Sequence, residues 1–158
     1  ITRPTALNEG EYHFVKDLQS WLDTSPAVLK DAEVFLLRNE SRKGTGFFEI
    51  GGFYPDFMLW IVKDEAQWLA FVDPKGLGRI ADPKGWSKVR LWETLREIEE
   101  RNPGLGVHLD SWLVSVTPRL LAPHEFQDPV KSIGNHVVFQ SDSKTYVEQL
   151  IAGVLGTS

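Results

Sequence analysis

The chain contains no cysteine, which excludes disulfides, thiolate metal sites and cysteine nucleophiles. It also has no apolar run long enough to span a membrane and no signal peptide, so we expect no membrane association and a cytoplasmic location. Basic residues are outnumbered, with 17 Lys and Arg against 22 Asp and Glu and a net charge of −5. Because non-specific nucleic-acid affinity comes from neutralising phosphates, nucleic-acid contact should be local, metal-assisted or aided by another domain.

The chain does have enough apolar residues for one buried core. Its 158 residues with 42% hydrophobic content predict one domain spanning residues 1–158, with a core over about 8–117 and an extension over about 118–158. The chain does not begin with Met, and we expect it to be a fragment of a larger multidomain protein. The sequence leaves the oligomeric state undetermined.

Periodicity and turn residues predict an α/β fold. Residues 119–133 have mixed polarity and predict an irregular segment, and the last helix is capped by Asp142 or Ser143. The predicted elements are helix 9–23, strands 33–38, 47–50, 53–62 and 67–72, helix 86–101, strands 111–117 and 136–140, and helix 144–155.

The sequence DPKG occurs twice, at residues 73–76 and 82–85. An acid, a proline, a lysine and a glycine also make an ordinary surface turn. The first copy ends an apolar strand whose hairpin partner opens with Pro55-Asp56, whereas the second copy follows no strand and leads into a helix. The first copy is therefore the candidate for chemistry, and the second is interpreted as a helix-entry turn.

Asp56 and Asp73 should meet at one end of the sheet, because the end of one antiparallel strand lies beside the start of the next. Two close carboxylates raise each other's pKa or require a cation, and Mg²⁺ prefers such oxygen ligands. If the strand continues, alternation places Lys75 on the same face as Asp73. A lysine there could orient or deprotonate a water, or neutralise charge on a reacting phosphate.

Glu11 is a third candidate acid, because its helical position falls within the apolar face of the first helix. A carboxylate buried alone is costly, so Glu11 either lies at the rim or reaches a cation or the water bound to one.

These residues, Pro55-Asp56 followed after sixteen residues by Asp73-Pro74-Lys75, with a glutamate on a preceding helix, resemble the PD-(D/E)xK nuclease superfamily. The stretches LNEGE, FLLRN, GTGFFE, FYPDFMLW and AFVDPKGL are similar to the C-terminal nuclease domain of type III restriction enzyme Res subunits and related DEAD/DEAH-box helicase-nucleases. The resemblance implies a restriction-endonuclease-like αβββαβ core with a mixed central sheet flanked by helices, here carrying a C-terminal strand-helix extension.

The resemblance also implies an activity, a Mg²⁺-dependent endonuclease that hydrolyses DNA phosphodiester bonds, with Mn²⁺ able to substitute. It makes Asp56, Asp73, Glu11 and the Pro74 carbonyl metal ligands, Glu11 directly or through water, and Lys75 the catalytic lysine. A helicase or ATPase domain is then expected in the same full-length protein, which would act in restriction or defence.

Basic residues after the motif could line a DNA path, although solvated surface faces explain them equally well. We also weigh two other hypotheses: a weakly active or inactive domain of this fold that docks nucleic acid or protein, and an unrelated α/β domain with an accidental motif. The candidate DNA-contacting residues are Arg79, Lys84, Lys88 and Arg90, with Arg38, Arg42 and Lys43 as a second patch.

Overall fold

The computed structural model describes residues 6–39, 54–77, 87–143 and 145–156. None of the helices in these ranges is long and apolar enough to cross a membrane. The helices and strands are α1 Glu9–Leu22, β1 Glu33–Arg38, β2 Phe57–Lys63, β3 Ala66–Lys75, α2 Leu91–Arg101, β4 His108–Ser115, α3 His124–Gln127, α4 Pro129–Gly134, β5 Val137–Phe139 and α5 Thr145–Leu155.

A five-stranded mixed sheet forms the centre of the described structure, with strand order β1-β2-β3-β4-β5. The first three strands are antiparallel, and β4 and β5 add in parallel to β3. The β2–β3 hairpin closes through Asp64 and Glu65, whose φ angles of 50° and 67° give the left-handed two-residue turn that matches strand twist. The predicted α/β class with a mixed sheet flanked by helices is therefore confirmed.

Helices cover both faces of the sheet, because the strand residues alternate between two apolar sets. Helices α1 and α5 pack on the face that carries Phe57, Leu59 and Val72. Helix α2 packs through Leu91 and Leu95 on the opposite face, against Met58 and Phe71. Asp73 and Lys75 follow Phe71 at steps of two, so they lie at the end of the α2 face.

Local sequence explains where α1 begins. The Asn8 side chain accepts a hydrogen bond from the Glu11 N–H at 2.9 Å, and the Glu11 carboxylate accepts one from the Asn8 N–H at 3.1 Å. This reciprocal capping box satisfies two backbone donors that the first turn would otherwise leave unpaired. Glu11 also contacts Arg38, which pairs with Phe57, so the start of α1 lies at the end of the sheet where β2 begins.

Several predicted boundaries differ from the structure. Strand β2 begins at Phe57 and not at Phe53, and β4 runs from His108 to Ser115 and not from 111 to 117. The segment predicted as irregular contains α3 and α4, because Asp128 caps α4 by accepting from the Lys131 N–H and Pro129 fits its first turn. Strand 47–50 and the second DPKG copy lie outside the described residues.

Candidate metal and phosphate site

The β2–β3 register brings Asp56 beside Asp73. Phe57 is opposite Val72, so the residue before β2 faces the residue after Val72. The Asp56 backbone is held from the other side, where the Asn39 N–H donates to its carbonyl oxygen at 2.8 Å. The two carboxyl groups are thus neighbours at one end of the sheet, as the hairpin pattern predicts.

Asp73 is a nearly buried carboxylate with an incomplete set of partners. The residue is 3% exposed, and the Lys75 Nζ lies 3.2 Å from its Oδ2. Among the described residues, neither carboxylate oxygen accepts a hydrogen bond of good geometry, although both are shielded from solvent. Buried carboxylate oxygens normally accept several hydrogen bonds, so Asp73 retains capacity for a further positive ligand.

Asp56 has an unusually high pKa for a carboxyl group. Burial, followed by the nearby Asp73 carboxylate, raises the pKa of Asp56 from 3.8 to about 7. Partial burial opposes the charged form of Lys75, but the negative charge of Asp73, 3.2 Å away, outweighs it and raises the Lys75 pKa. Asp56 therefore binds a proton near neutral pH beside a second acid and an ammonium group, and a cation bound there would favour its ionised form.

The oxygen atoms at this end of the sheet are of the chemical type that binds Mg²⁺. It offers two carboxylates, one of them with unsatisfied buried oxygens, and the backbone carbonyl of Pro74 follows directly in β3. Hard oxygen donors with room for water are what Mg²⁺ prefers. Over the described ranges, however, no three acidic or histidine side chains are grouped closely enough to hold a metal ion by themselves. Substrate phosphate oxygens and water would have to complete the shell.

Glu11 is engaged elsewhere. It is 7% exposed, as its place in the apolar face of α1 predicts, and its Oε2 lies 3.1 Å from the Arg38 guanidinium. The same oxygen accepts the Asn8 N–H of the capping box. Of the two possibilities that the sequence left open, Glu11 thus reaches a cation, and this cation is a side chain. Its role as a metal ligand stays a prediction.

Arg38 links Glu11 to the carboxylate pair, whereas the sequence predicts it only as part of a second basic patch. It ends β1 opposite Phe57, the residue that follows Asp56. Its positive charge acts to lower the Asp56 pKa, against the larger effect of burial. The β1–β2 register identifies it. This register cannot be predicted from the sequence, because a long connection and not a tight turn joins the two strands.

The candidate DNA-contacting residues separate into distinct groups. Lys88 lies beside Lys75 and interacts electrostatically with Asp73 and Asp56. Arg90, two residues later, is paired with Glu93 through contacts as short as 2.7 Å. Arg79, Lys84, Arg42 and Lys43 lie outside the described residues. Of Lys88 and Arg90, therefore, Lys88 belongs to the carboxylate cluster and Arg90 does not.

An open groove of about 570 Å³ reaches the end of β3. Pro74, Lys75 and Gly76 form one wall, and Gly10 and His13 of α1 form part of the other. Another groove, of about 650 Å³, lies at the opposite end of the sheet around Glu99 and His108. The second groove is larger but holds none of the candidate residues, so the first is the one relevant to the carboxylate pair.

Comparison with protein-family models, with curated proteins and with solved structures finds no match for this chain. The candidate site therefore stands on its own geometry: Asp56 and Asp73 side by side, Lys75 in contact with Asp73, and Lys88 in contact with Lys75.

Proposed function

We propose that this chain is a Mg²⁺-dependent endonuclease that hydrolyses DNA phosphodiester bonds. The observation that carries the proposal is Asp73, a carboxylate that is buried, short of hydrogen-bond partners and adjacent to a second acid and a lysine. Such an arrangement costs folding free energy unless a ligand compensates it, so it is typical of a functional site.

In the reaction, a water oxygen forms a bond to phosphorus and the phosphorus–oxygen ester bond breaks, leaving one phosphate monoester end and one hydroxyl end. Overall, one proton of the water ends on the hydroxyl product. Bound Mg²⁺ supplies Lewis acidity and a template for the phosphate. Asp56, Asp73 and the Pro74 carbonyl are the residues that would hold it, and Glu11 would act directly or through water.

Lys75 is the residue placed to act on the reacting group itself. Its ammonium is tied to Asp73 at 3.2 Å, and its side chain is 39% exposed towards the groove. From there it orients the attacking water and offsets negative charge that builds on the phosphate. The resemblance to PD-(D/E)xK nucleases supports the same role and a restriction-endonuclease-like core. It also supports a place beside a helicase domain in a cytoplasmic restriction or defence protein.

A docking module without strong catalysis is the second candidate function. The observation that favours it is the incomplete ligand set: two carboxylates converge, and within the described residues no third acid or histidine completes a metal-binding group. The net charge of −5 also favours a domain whose contact with nucleic acid depends on a partner.

The test is supercoiled plasmid nicking and linearisation by the chain with Mg²⁺ or Mn²⁺, beside Asp73→Asn and Lys75→Gln. We expect each substitution to lower the rate on the order of 100-fold or more. Lys30→Gln is the matched control, because Lys30 is an exposed lysine before β1, at the other end of the sheet. Cleavage that survives in both site variants, or none by the unaltered chain, would refute the proposal, and DNA binding without cleavage would support docking.

A further inference from the structure

Lys88 is a second lysine in the carboxylate cluster. Its side chain lies beside that of Lys75, and it interacts electrostatically with both Asp73 and Asp56. Partial burial, and then the charge of Lys75, lower the Lys88 pKa. The contact itself is unusual, because two ammonium groups repel each other at close range.

The backbone around Lys88 is fixed on the end of the sheet by its neighbours. Val89 is 3% exposed and packs with Leu77, just after β3, and with Leu113 of β4. Leu91 packs with Met58 and Phe71 on the α2 face of the sheet. Both anchors lie within three residues after Lys88, so the packing of this segment onto the core places Lys88 near the end of β3.

The charges of the cluster indicate what the two lysines are suited to bind. Asp56, Asp73, Lys75 and Lys88 sum to zero when both acids are ionised. A divalent cation on the acids adds two positive charges, which match a phosphodiester that gains negative charge as water attacks. A phosphate oxygen between the two ammonium groups would also remove their mutual repulsion.

We propose that Lys88 contacts the scissile phosphate together with Lys75, which makes Lys88 a catalytic residue of this site. This inference rests on the proposed nuclease function. Lys88 donates a hydrogen bond to a non-bridging phosphate oxygen and offsets the charge that builds there, while Lys75 orients the water. The bonds formed and broken are those of the hydrolysis already described, and Lys88 neither gains nor loses a proton overall.

Kinetics separate this role from a contact to a remote backbone phosphate. Lys88→Met keeps most of the side-chain length and removes the charge, and Lys88→Arg keeps the charge. With a DNA duplex and Mg²⁺, we expect Lys88→Met to lower kcat on the order of 100-fold with little change in KM, because the contact strengthens in the transition state. Lys88→Arg should restore part of kcat, and Lys30→Met should behave as the unaltered chain.

A labelling experiment supplies a readout that does not depend on turnover. Lysines are acetylated in the free chain and in the chain bound to a phosphorothioate DNA duplex with Ca²⁺, and the modified residues are quantified by mass spectrometry. Lys75 and Lys88 should be protected together by about fivefold or more, as expected for two groups that share one phosphate, and Lys30 should stay unprotected. Thermal unfolding of each variant checks that it folds.

The outcomes distinguish this inference from the proposed function. Protection of Lys75 without Lys88, or Lys88→Met that raises KM and leaves kcat unchanged, would overturn the role of Lys88 and leave the nuclease proposal intact. Absence of cleavage by the unaltered chain, together with no protection of either lysine, would overturn both.

Discussion

Asp73 and Asp110 lie on neighbouring parallel strands, and their carboxylates differ in how many hydrogen bonds they accept. Asp110 Oδ1 accepts the Ser111 N–H at 2.8 Å and lies 2.7 Å from His136 Nδ1, and its Oδ2 accepts the Trp112 indole N–H at 2.8 Å. Asp73 has a lysine 3.2 Å away but no well-formed hydrogen bond within the described structure. Both side chains are largely buried: that of Asp110 is 15% exposed and that of Asp73 is 5% exposed.

The difference separates an acid that stabilises the fold from one held ready for a ligand. The partner of Asp110 is itself immobilised: the His136 ring stacks between Trp92 and Trp112, with centroids 4.3 Å and 4.5 Å away. Around Asp73 the neighbours are a second acid and a lysine that contacts another lysine. Satisfied buried polar groups rigidify a core, whereas unsatisfied ones concentrate at functional sites.

The largest stability effect should follow from breaking the satisfied acid. Asp110→Ala leaves the Trp112 indole N–H, the Ser111 N–H and His136 without their acceptor, and we expect the free energy of unfolding to fall by about 2 to 4 kcal/mol. Asp73→Asn removes a poorly satisfied charge, and we expect a change within about 0.5 kcal/mol, or a gain. Urea unfolding of the two variants in EDTA measures both values.

A larger loss for Asp73→Asn than for Asp110→Ala would contradict the distinction between the two acids. Asp110→Asn serves as the intermediate variant. The amide oxygen of the new side chain can still accept a hydrogen bond, whereas its NH₂ group can only donate. It should fall between the unaltered chain and Asp110→Ala.

The effect of Mg²⁺ on thermal stability should also differ between variants of Asp73 and Asp110. A ligand that binds only the folded chain stabilises it by about 2.7 kcal/mol at a concentration 100 times its Kd. We expect Mg²⁺ to raise Tm of the unaltered chain and of Asp110→Asn, and to leave Asp73→Asn unshifted. The shift should be larger at pH 8 than at pH 6, because a proton on Asp56, whose pKa is about 7, competes with the metal.

An equal shift in Asp73→Asn would place the metal elsewhere and would remove the main support for the proposed function. The measurement is differential scanning fluorimetry over a range of Mg²⁺ concentrations, with Na⁺ at matched ionic strength as the control for charge screening.

The sequence predicts the meeting of Asp56 and Asp73 better than it predicts the boundaries of the helices and strands. Asp56 and Asp73 are brought together by a hairpin whose alternation and polar turn are local features, so their meeting is readable from residues 53–73. The start of β4 at His108 cannot be predicted in this way, because the first residues of β4 pair with β3, and helix α2 separates the two strands in the sequence. Likewise α3 and α4 are short, and short helices depend on tertiary packing more than on periodicity.

Residues that act through distant partners are the ones the sequence misses. Arg38 reaches Glu11 across 27 positions, and Asp110 reaches His136 across a similar separation. No periodic pattern encodes such pairs. Lys88 and Arg90 look alike in the sequence, and only the fold separates them: Lys88 lies beside Lys75, whereas Arg90 pairs with Glu93.

The raised pKa of Asp56 should make the free energy of unfolding depend on pH. Because its folded-state pKa is raised from 3.8 to about 7, the folded chain retains a proton that the unfolded chain has released, and stability falls as pH rises through that window. The side chain is partly exposed, so we discount the shift and expect a loss of about 1 to 2 kcal/mol between pH 4 and pH 8. Asp56→Asn should be more stable than the unaltered chain at pH 8 by that amount.

Urea unfolding of both chains at a series of pH values in EDTA tests the sign. The difference between Asp56→Asn and the unaltered chain should vanish towards acidic pH, where Asp56 is protonated in both states. A variant that is less stable at pH 8 would show that the Asp56 charge is compensated in the folded chain.

Glu11 gives the smallest expected effect and decides whether a third acid belongs to the site. Glu11→Gln keeps an acceptor for the Asn8 N–H, so the capping box survives, and it loses the charge that pairs with Arg38. We expect a cost of about 0.5 to 1 kcal/mol in urea unfolding. If Glu11 serves only the cap and Arg38, the Mg²⁺-induced rise in Tm persists in Glu11→Gln. If Glu11 is a ligand as the resemblance implies, that rise is lost as in Asp73→Asn, and Arg38 must then release it when the metal binds.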